Sequence, residues 1–337
     1  MKIKNQMTTT PDQLDYTKLP LVFNVYKSVG PSSFNVVHHF KKNLDFDFGK
    51  IGHFGTLDPF AQGVLLIGIQ GAQKLNDYIH QLLPKTYRAK GLFGGKTDTG
   101  DHTSAVVESR HLHESFKDST VEEIEALMRE HFLGEYWQAP HSVSATKFEG
   151  KRLYVHALEG RLIQKEKVKR EILDLKIISF AYPQIEFLVT VSSGTYVRSL
   201  FEEMSALMGG LGALNELERV SIGSNTVAEA LKKEQWPQKG ERFNLEQFGR
   251  PLDQVIRLNK VRLTDLQTRR YVQGQRFLFK DIEVIEKENI RQIDTPELWW
   301  VYSPEGILIG LARQGELLAE SELRAIFNLQ LSIALFS

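Results

Sequence analysis

Two-residue alternation runs through this chain and commits much of it to a sheet. Lys85 to Phe93 alternates apolar and polar residues, and Ile172 to Phe180 and Ile185 to Val191 read as paired strands around Tyr182-Pro183. Leu21 to Tyr26 reads as another strand. Helical signals are fewer and isolated. A Gly30-Pro31-Ser32-Ser33 turn caps a helix with Phe34, Val37, Phe40 and Leu44 on one side. Thr120 and Glu123 have capping-box spacing ahead of Val121, Ile124, Leu127 and Met128, expected to face inward. A third helix runs from about Tyr196 to Met208 and stops at Gly209-Gly210. Gly63 to Ile69 is apolar throughout and fits a buried strand or the start of a helix. Strands mixed with isolated helices predict an α+β fold, a mixed antiparallel sheet with flanking helices, rather than a regular βαβ alternation.

With 337 residues the chain has room for about two domains. Pro237, Gly240 and clustered charges place a boundary between Lys232 and Arg250. The expected division is a catalytic-sized domain over 20–231 and a small β-rich domain over 250–328, after a polar leader over 1–19. Strands of the second domain are expected around Val261-Leu263, Phe277-Phe279, Leu298-Tyr302 and Ile307-Leu311.

The chain has no cysteine, which excludes disulfides, zinc-thiolate sites, iron–sulfur clusters and cysteine nucleophiles. No apolar run approaches the roughly 20 residues that cross a bilayer, and Met1 to Gln13 lacks the apolar core of a secretory signal, so a cytoplasmic location is expected. The 42 basic and 42 acidic residues balance, a mild argument against a polyanionic partner. The balance is not local, however. Lys147 to Lys176 holds nine Lys and Arg against five acids and Pro251 to Lys280 seven against two, whereas Asp281 to Asn328 holds ten acids against four bases. Two basic segments and an acidic one underlie the neutral total.

Two tempting motifs fail, one on spacing and one for want of a second copy. Gly94-Gly95-Lys96-Thr97 lacks a glycine at the distance a phosphate loop needs. Asp98-Thr99-Gly100 has no second copy, as a two-carboxylate protease requires, and reads as a turn. Two other segments are harder to dismiss. Gly52 to Pro59 places two glycines, His53 and an Asp58-Pro59 turn just before the apolar run. Ser192 to Leu200 sets Tyr196 and Arg198 at a helix start, where an Arg can pair with a carboxylate and hold it ionised.

These segments occur together, and in one order. Gly52 to Pro59, Lys85-Thr86-Tyr87, Thr97 to Asp101, Ser144 to Lys147, Gly150 to Tyr154, Ser193 to Arg198 and Leu217-Glu218-Arg219 resemble the TruB family of tRNA pseudouridine-55 synthases of the stand-alone, bacterial type. The resemblance covers about Asn24 to Gly223. The chain departs from the family pattern at Ser28, Phe54, His141 and Val143, none of which is the acid or the Arg.

The resemblance implies a pseudouridine synthase catalytic domain that isomerises a T-loop uridine of tRNA. The enzyme would break the N-glycosidic bond and rejoin the base through C5, after flipping the base out at a cost of a few kcal/mol. It implies Asp58 as the catalytic carboxylate; attack on the sugar, attack on the base and assistance to glycal formation are all open to it. Arg198 would pair with Asp58, Tyr196 would lie near the nucleotide, Tyr87 would stack on uracil, His53 would help extract the base and Leu217 would wall the pocket. Such chemistry needs no redox step, so neither a cofactor nor a metal is expected. The stretch 144–176 is expected to grip RNA, with Lys147, Lys151 and Arg152 on phosphates. The C-terminal piece resembles a PUA-like RNA-binding domain through Gln273-Gly274-Gln275 and Gly306 to Gly310; any RNA contact there should fall on Arg257 to Lys280. The partner expected is the tRNA T-arm, with no membrane and no obligate protein partner, the chain acting as a monomer.

Three rival readings stay open on sequence alone. One is a non-catalytic tRNA-binding or folding protein on the same scaffold. Another is a hydrolase pairing Asp58 with Asp98 or Asp101, which would need the two acids about 5–9 Å apart. The third is a guide-dependent synthase that relies on partner proteins, against which the resemblance of the 144–176 insert to that of stand-alone enzymes argues.

Overall fold

The computed structural model of the protein describes residues 15–139, 147–148, 151–152, 166–288, 297–317 and 320–329. Most of the expected leader and most of the 144–176 insert therefore lie outside the described residues. The expected α+β architecture is what the chain adopts. In chain order the first part contains β1 (Leu21–Lys27), α1 (Ser33–Asn43), β2 (Gly52–His53), β3 (Gln62–Gly68), α2 (Asn76–Leu82), β4 (Lys85–Thr97), β5 (Val106–Arg110), α3 (Glu114–Lys117), α4 (Val121–Phe132) and β6 (Gly134–Gln138). It continues with the short hairpin β7 (Lys147–Phe148) and β8 (Lys151–Arg152), then β9 (Val168–Ala181), β10 (Gln184–Val191), α5 (Val197–Leu207), β11 (Gly212–Ile222) and β12 (Asn225–Thr226).

The ambiguous run Gly63 to Ile69 is a strand. Val64 to Ile67 in β3 are fully buried, as in a strand covered on both faces, which explains its unbroken apolar character. The main sheet runs β13-β1-β3-β11-β4-β10-β9-β6, where β13 is Arg250–Pro251. Its pairings are antiparallel except for β3 with β11, where Glu218 lies opposite Gln62 and Arg219 opposite Gly63. That parallel contact brings the turn before β3 beside the middle of β11. The segment Gly94-Gly95-Lys96-Thr97 continues β4 and pairs with β5, so it forms no phosphate loop.

Helices cover the sheet as their apolar faces dictate. Ile124, Met128 and Phe132 of α4 join Leu200, Phe201 and Met204 of α5 over Phe93, Ile177, Phe187 and Val189. Ser32 and Asn35 form a capping box at the start of α1, whose Val36, Val37 and Phe40 pack on Phe23, Leu65 and Ile67. Phe34, expected on the inner face of α1, instead points outward at 71% exposure. The helix buries its 36-37-40 stripe, and a residue two positions before Val36 falls on the opposite side.

The stretch between Lys232 and Arg250 contributes Trp236, Phe243 and Leu245 to the core beneath α1. After β13 come α6 (Leu252–Val255), β14 (Asn259–Arg262), α7 (Asp265–Val272), β15 (Phe277–Leu278), β16 (Glu283–Glu286), β17 (Leu298–Tyr302), β18 (Leu308–Leu317) and β19 (Glu320–Asn328). Strands β14 to β19 form a second sheet, ordered β15-β19-β18-β17-β14-β16. Trp300, Leu298 and Leu311 pack against Val22, Val64 and Leu66 of the first sheet, while Val261, Tyr271, Trp299 and Val301 form a core of its own.

Candidate active site

Asp58 sits in the turn that leads into β3, and three side chains distant in sequence hold that turn by its backbone. Lys27, fully buried at the end of β1, donates to the carbonyl of Ala61 at 2.6 Å and to those of Ser28 at 3.1 Å and Pro59 at 3.4 Å. Burial pushes its ammonium down to about 8, against which the Asp58 charge acts. The Ser33 hydroxyl accepts from the Leu57 amide at 2.9 Å and donates to the Leu57 carbonyl at 3.2 Å. Arg219, 1% exposed in β11, donates to the carbonyls of Gly55 at 3.1 Å, Thr56 at 3.3 Å and Val64 at 2.8 Å.

Arg198 faces this turn from the first turn of α5. Its Nη2 lies 3.0 Å from Asp58 Oδ2. Its Nη1 donates to the Thr99 carbonyl at 2.6 Å and lies 3.4 Å from Asp101 Oδ2. The guanidinium is thus shared by two carboxylates of different character. Asp58 keeps 38% of its side-chain surface exposed, whereas Asp101 keeps 3%. Asp101 also accepts from the Thr99 hydroxyl at 2.8 Å and from the Thr103 amide at 3.0 Å. It is enclosed and fully bonded, so it offers no second reactive acid of the kind a two-carboxylate hydrolase requires.

The turn, the start of α5 and strands β4 and β11 enclose a cleft of about 240 Å³. Asp58, Tyr87, Tyr196, Arg198 and Leu217 all line it. Tyr87 and Arg219 lie opposite each other on the antiparallel β4–β11 pair, and Leu217 lies opposite Ala89, which sets the aromatic and the aliphatic wall. Tyr196 occupies the cap position of α5, where Gln138 clamps its backbone: the Tyr196 amide donates to Gln138 Oε1 at 2.7 Å and Gln138 Nε2 donates to the Tyr196 carbonyl at 3.0 Å. Five of the nine residues expected from sequence therefore meet at one place.

Of the other four, His53 does not line it. His53 is half-buried on β2, paired through its backbone with Ile67. Lys147, Lys151 and Arg152 belong to the β7–β8 hairpin, where Lys147 pairs with Arg152. Sequence reasoning missed Lys27, Ser33, Asp101 and Arg219 as members of the site. Asp101 and Arg219 did carry a signal, since both fall inside motif blocks. The departure at Phe54 is a core event: its ring is 1% exposed, and a Cβ on Gly68 would stand 2.6 Å from Phe54 Cζ, so the glycine makes room for it.

Known proteins resemble this chain in sequence and in fold. Residues 41–197 match the TruB family pseudouridylate synthase (N terminal domain). The chain is 34% identical over 291 residues to tRNA pseudouridine synthase B of Aquifex aeolicus, covering 84% of this chain and 97% of that protein. It is 36% identical over 208 residues to the protein of the same name from Thermosipho melanesiensis, a match that spans 62% of this chain and 66% of that relative's length. Among solved structures, a chain of a Cbf5-Nop10-Gar1 complex superposes with a TM-score of 0.67 at 20% identity, covering 93% of this chain and 86% of that one. The last likeness concerns the fold alone. The identity to the Aquifex protein over nearly its whole length does more: the chain belongs to the TruB family of pseudouridylate synthases.

Proposed function

We propose that the protein isomerises uridine to pseudouridine at position 55, in the T-loop of tRNA, with Asp58 as the catalytic carboxylate. The observation that carries this reading is the contact of Asp58 with Arg198 at 3.0 Å in a cleft walled by Tyr87 and Leu217. The tRNA pseudouridine synthase B relatives supply the substrate class. A carboxylate beside a polyanion needs a fixed cation to stay ionised and aimed, and Arg198 supplies one already paired with Asp101 and the Thr99 carbonyl. The three-sided clamp on the turn means that Asp58 needs little reorganisation when substrate arrives.

In this reading the target base leaves its stack and enters the cleft, at a cost of a few kcal/mol. Stacking of uracil on Tyr87 returns on the order of 1–3 kcal/mol. Leu217 closes the apolar side, Tyr196 stands beside the nucleotide, and His53, on β2 outside the cleft, helps to bring the base out of the loop. Lys147, Lys151 and Arg152 take RNA phosphates. The enzyme works in the cytoplasm as a monomer, without cofactor or protein partner.

The test uses an unmodified tRNA transcript with tritium at uridine C5, because joining the base through C5 displaces that hydrogen. Wild type should release tritium to water and Asp58→Asn should release none. Release by both would remove Asp58 from the chemistry. Binding without release by wild type would favour a tRNA-binding protein on the same scaffold.

A further inference from the structure

Lys85 and His80 have no part in the chemistry above, yet both reach the cleft beside Arg219. Lys85 opens β4, His80 lies in the last turn of α2, and Arg219 comes from β11. They converge on Gly55. A Cβ there would lie 3.6 Å from His80 Cε1 and 3.7 Å from both Arg219 Nη1 and Lys85 Cε. Ser193, from the loop before α5, ties the group together: Lys85 Nζ donates to its hydroxyl at 2.7 Å, and His80 Nδ1 lies 2.8 Å from the same oxygen. The hydroxyl can accept from the ammonium and pass its own proton to the imidazole. All five residues line the cleft.

The charges in this corner do not cancel. Lys85 is 4% exposed, and burial together with the like charge of Arg219 pushes its ammonium down to about 7. Burial, Lys85 and Arg219 also push His80 down, with Asp77 alone acting the other way. Arg219 spends its own donors on three backbone carbonyls. Buried cations without a carboxylate are costly until an anion arrives, and the cleft is open to one.

We infer that Lys85, Ser193 and His80, beside Arg219, form a subsite for a phosphodiester flanking the flipped nucleotide. This rests on the proposed RNA substrate. The Lys85 ammonium faces Ser193 Oγ, the Leu83 carbonyl, His80 from α2 and Arg219 from β11. Among the described residues no carboxylate is bonded to it, so a bound phosphate would supply the negative charge it lacks. Binding then favours the protonated amine, so affinity should fall as pH rises above about 7, by up to about tenfold per unit.

The experiment measures binding of an unmodified T-arm RNA to the full-length Asp58→Asn protein, so that turnover does not interfere. Lys85→Met should weaken binding about tenfold, lower the slope of log affinity against log salt by about one and flatten the pH dependence. Ser193→Ala keeps every charge and should weaken binding about threefold; it serves as the second variant if Lys85→Met fails to fold. Single neutral methylphosphonates are then placed around the target uridine. At one position the substitution should weaken binding by the protein with Lys85 but not by Lys85→Met. Absence of any such position, or unchanged affinity in both variants, overturns the subsite. A loss of kcat at unchanged affinity, with Asp58 restored, would also overturn it by assigning Lys85 to proton transfer. Tritium release by wild type reports separately on the proposed function, so failure there is distinguishable from failure of the subsite.

Discussion

Arg198 donates to two carboxylates at once, and the two differ in how much water they keep. Replacing Asp58, 38% exposed, with Asn removes one side of a half-solvated pair. That change should cost at most about 1 kcal/mol of stability while abolishing tritium release. Replacing Arg198 with Ala leaves Asp101 charged and enclosed at 3% exposure, and should cost about 3–5 kcal/mol. Urea unfolding of the two variants side by side checks the contrast; equal losses would mean that Asp101 has little need of Arg198. A second residue-scale effect follows from the buried amines. Folding lowers Lys27 to about 8 and Lys85 to about 7, from an ordinary value of 10.5. Below about pH 7 both are protonated in either state and the penalty for burying charge is complete. As pH rises toward 10 the folded chain releases these protons while the unfolded chain keeps them, so stability should rise across that window. Thermal unfolding from pH 7 to 9.5 should show the rise, and Lys85→Met should reduce it. Asp58, Tyr87, Tyr196, Arg198 and Leu217 were legible because each sits in a recognisable block. Lys27 and Ser33 were not, because both act on backbone carbonyls and amides some 24 to 34 positions away, a relation that no local pattern records.

At the scale of elements, the parallel contact of β3 with β11 is what sets Arg219 over the turn of Asp58. Gly63 permits it. Its φ of +110° is a glycine conformation, and a Cβ there would stand 2.2 Å from the Arg219 carbonyl oxygen. Gly63→Ala should therefore cost more than the roughly 1–3 kcal/mol of backbone strain, and should loosen the turn and lower kcat. Gly71 is the control, since its φ is +87° and nothing lies within 4 Å of an added Cβ. Gly71→Ala should show the strain alone, with kcat intact. A Gly63→Ala protein as stable and active as Gly71→Ala would sink the account. Local chemistry announced the helices, through the Gly30-Pro31-Ser32-Ser33 turn and the spacing of Thr120 and Glu123. It did not announce β11, which lies at the centre of the sheet. Bulges between Leu214 and Glu216 and between Arg219 and Ser221 break its alternation, and exposed Asn215 and Glu216 interrupt its apolar run. Its neighbour β3 is distant in sequence, so the pairing that builds the site is tertiary from the outset.

Over the whole molecule, the neutral total conceals a cancellation that the fold carries out pair by pair. The basic stretch after Pro251 and the acidic stretch after Lys280 meet across the second sheet: Lys260 with Glu286 at 2.7 Å, Arg262 with Glu283 at 3.1 Å and Arg276 with Glu322 at 3.6 Å. A cation already facing a carboxylate adds little field at a phosphate, so the seven bases counted in sequence overstate what this sheet can offer RNA. Arg269 and Arg270 differ, standing exposed in the last turn of α7, outside those three pairs. If the second sheet helps to hold tRNA, Arg269→Ala with Arg270→Ala should lower the slope of log affinity against log salt by up to about two. Arg262→Ala should leave that slope unchanged. The Lys151→Ala, Arg152→Ala double variant should lower it independently, because those residues occupy a separate hairpin. Combining the two pairs should then add their effects. A slope that responds to the hairpin but not to Arg269 and Arg270 would leave the second sheet a structural buttress, whose packing of Trp300 and Leu311 on Val64 and Leu66 supports the strand that follows Asp58.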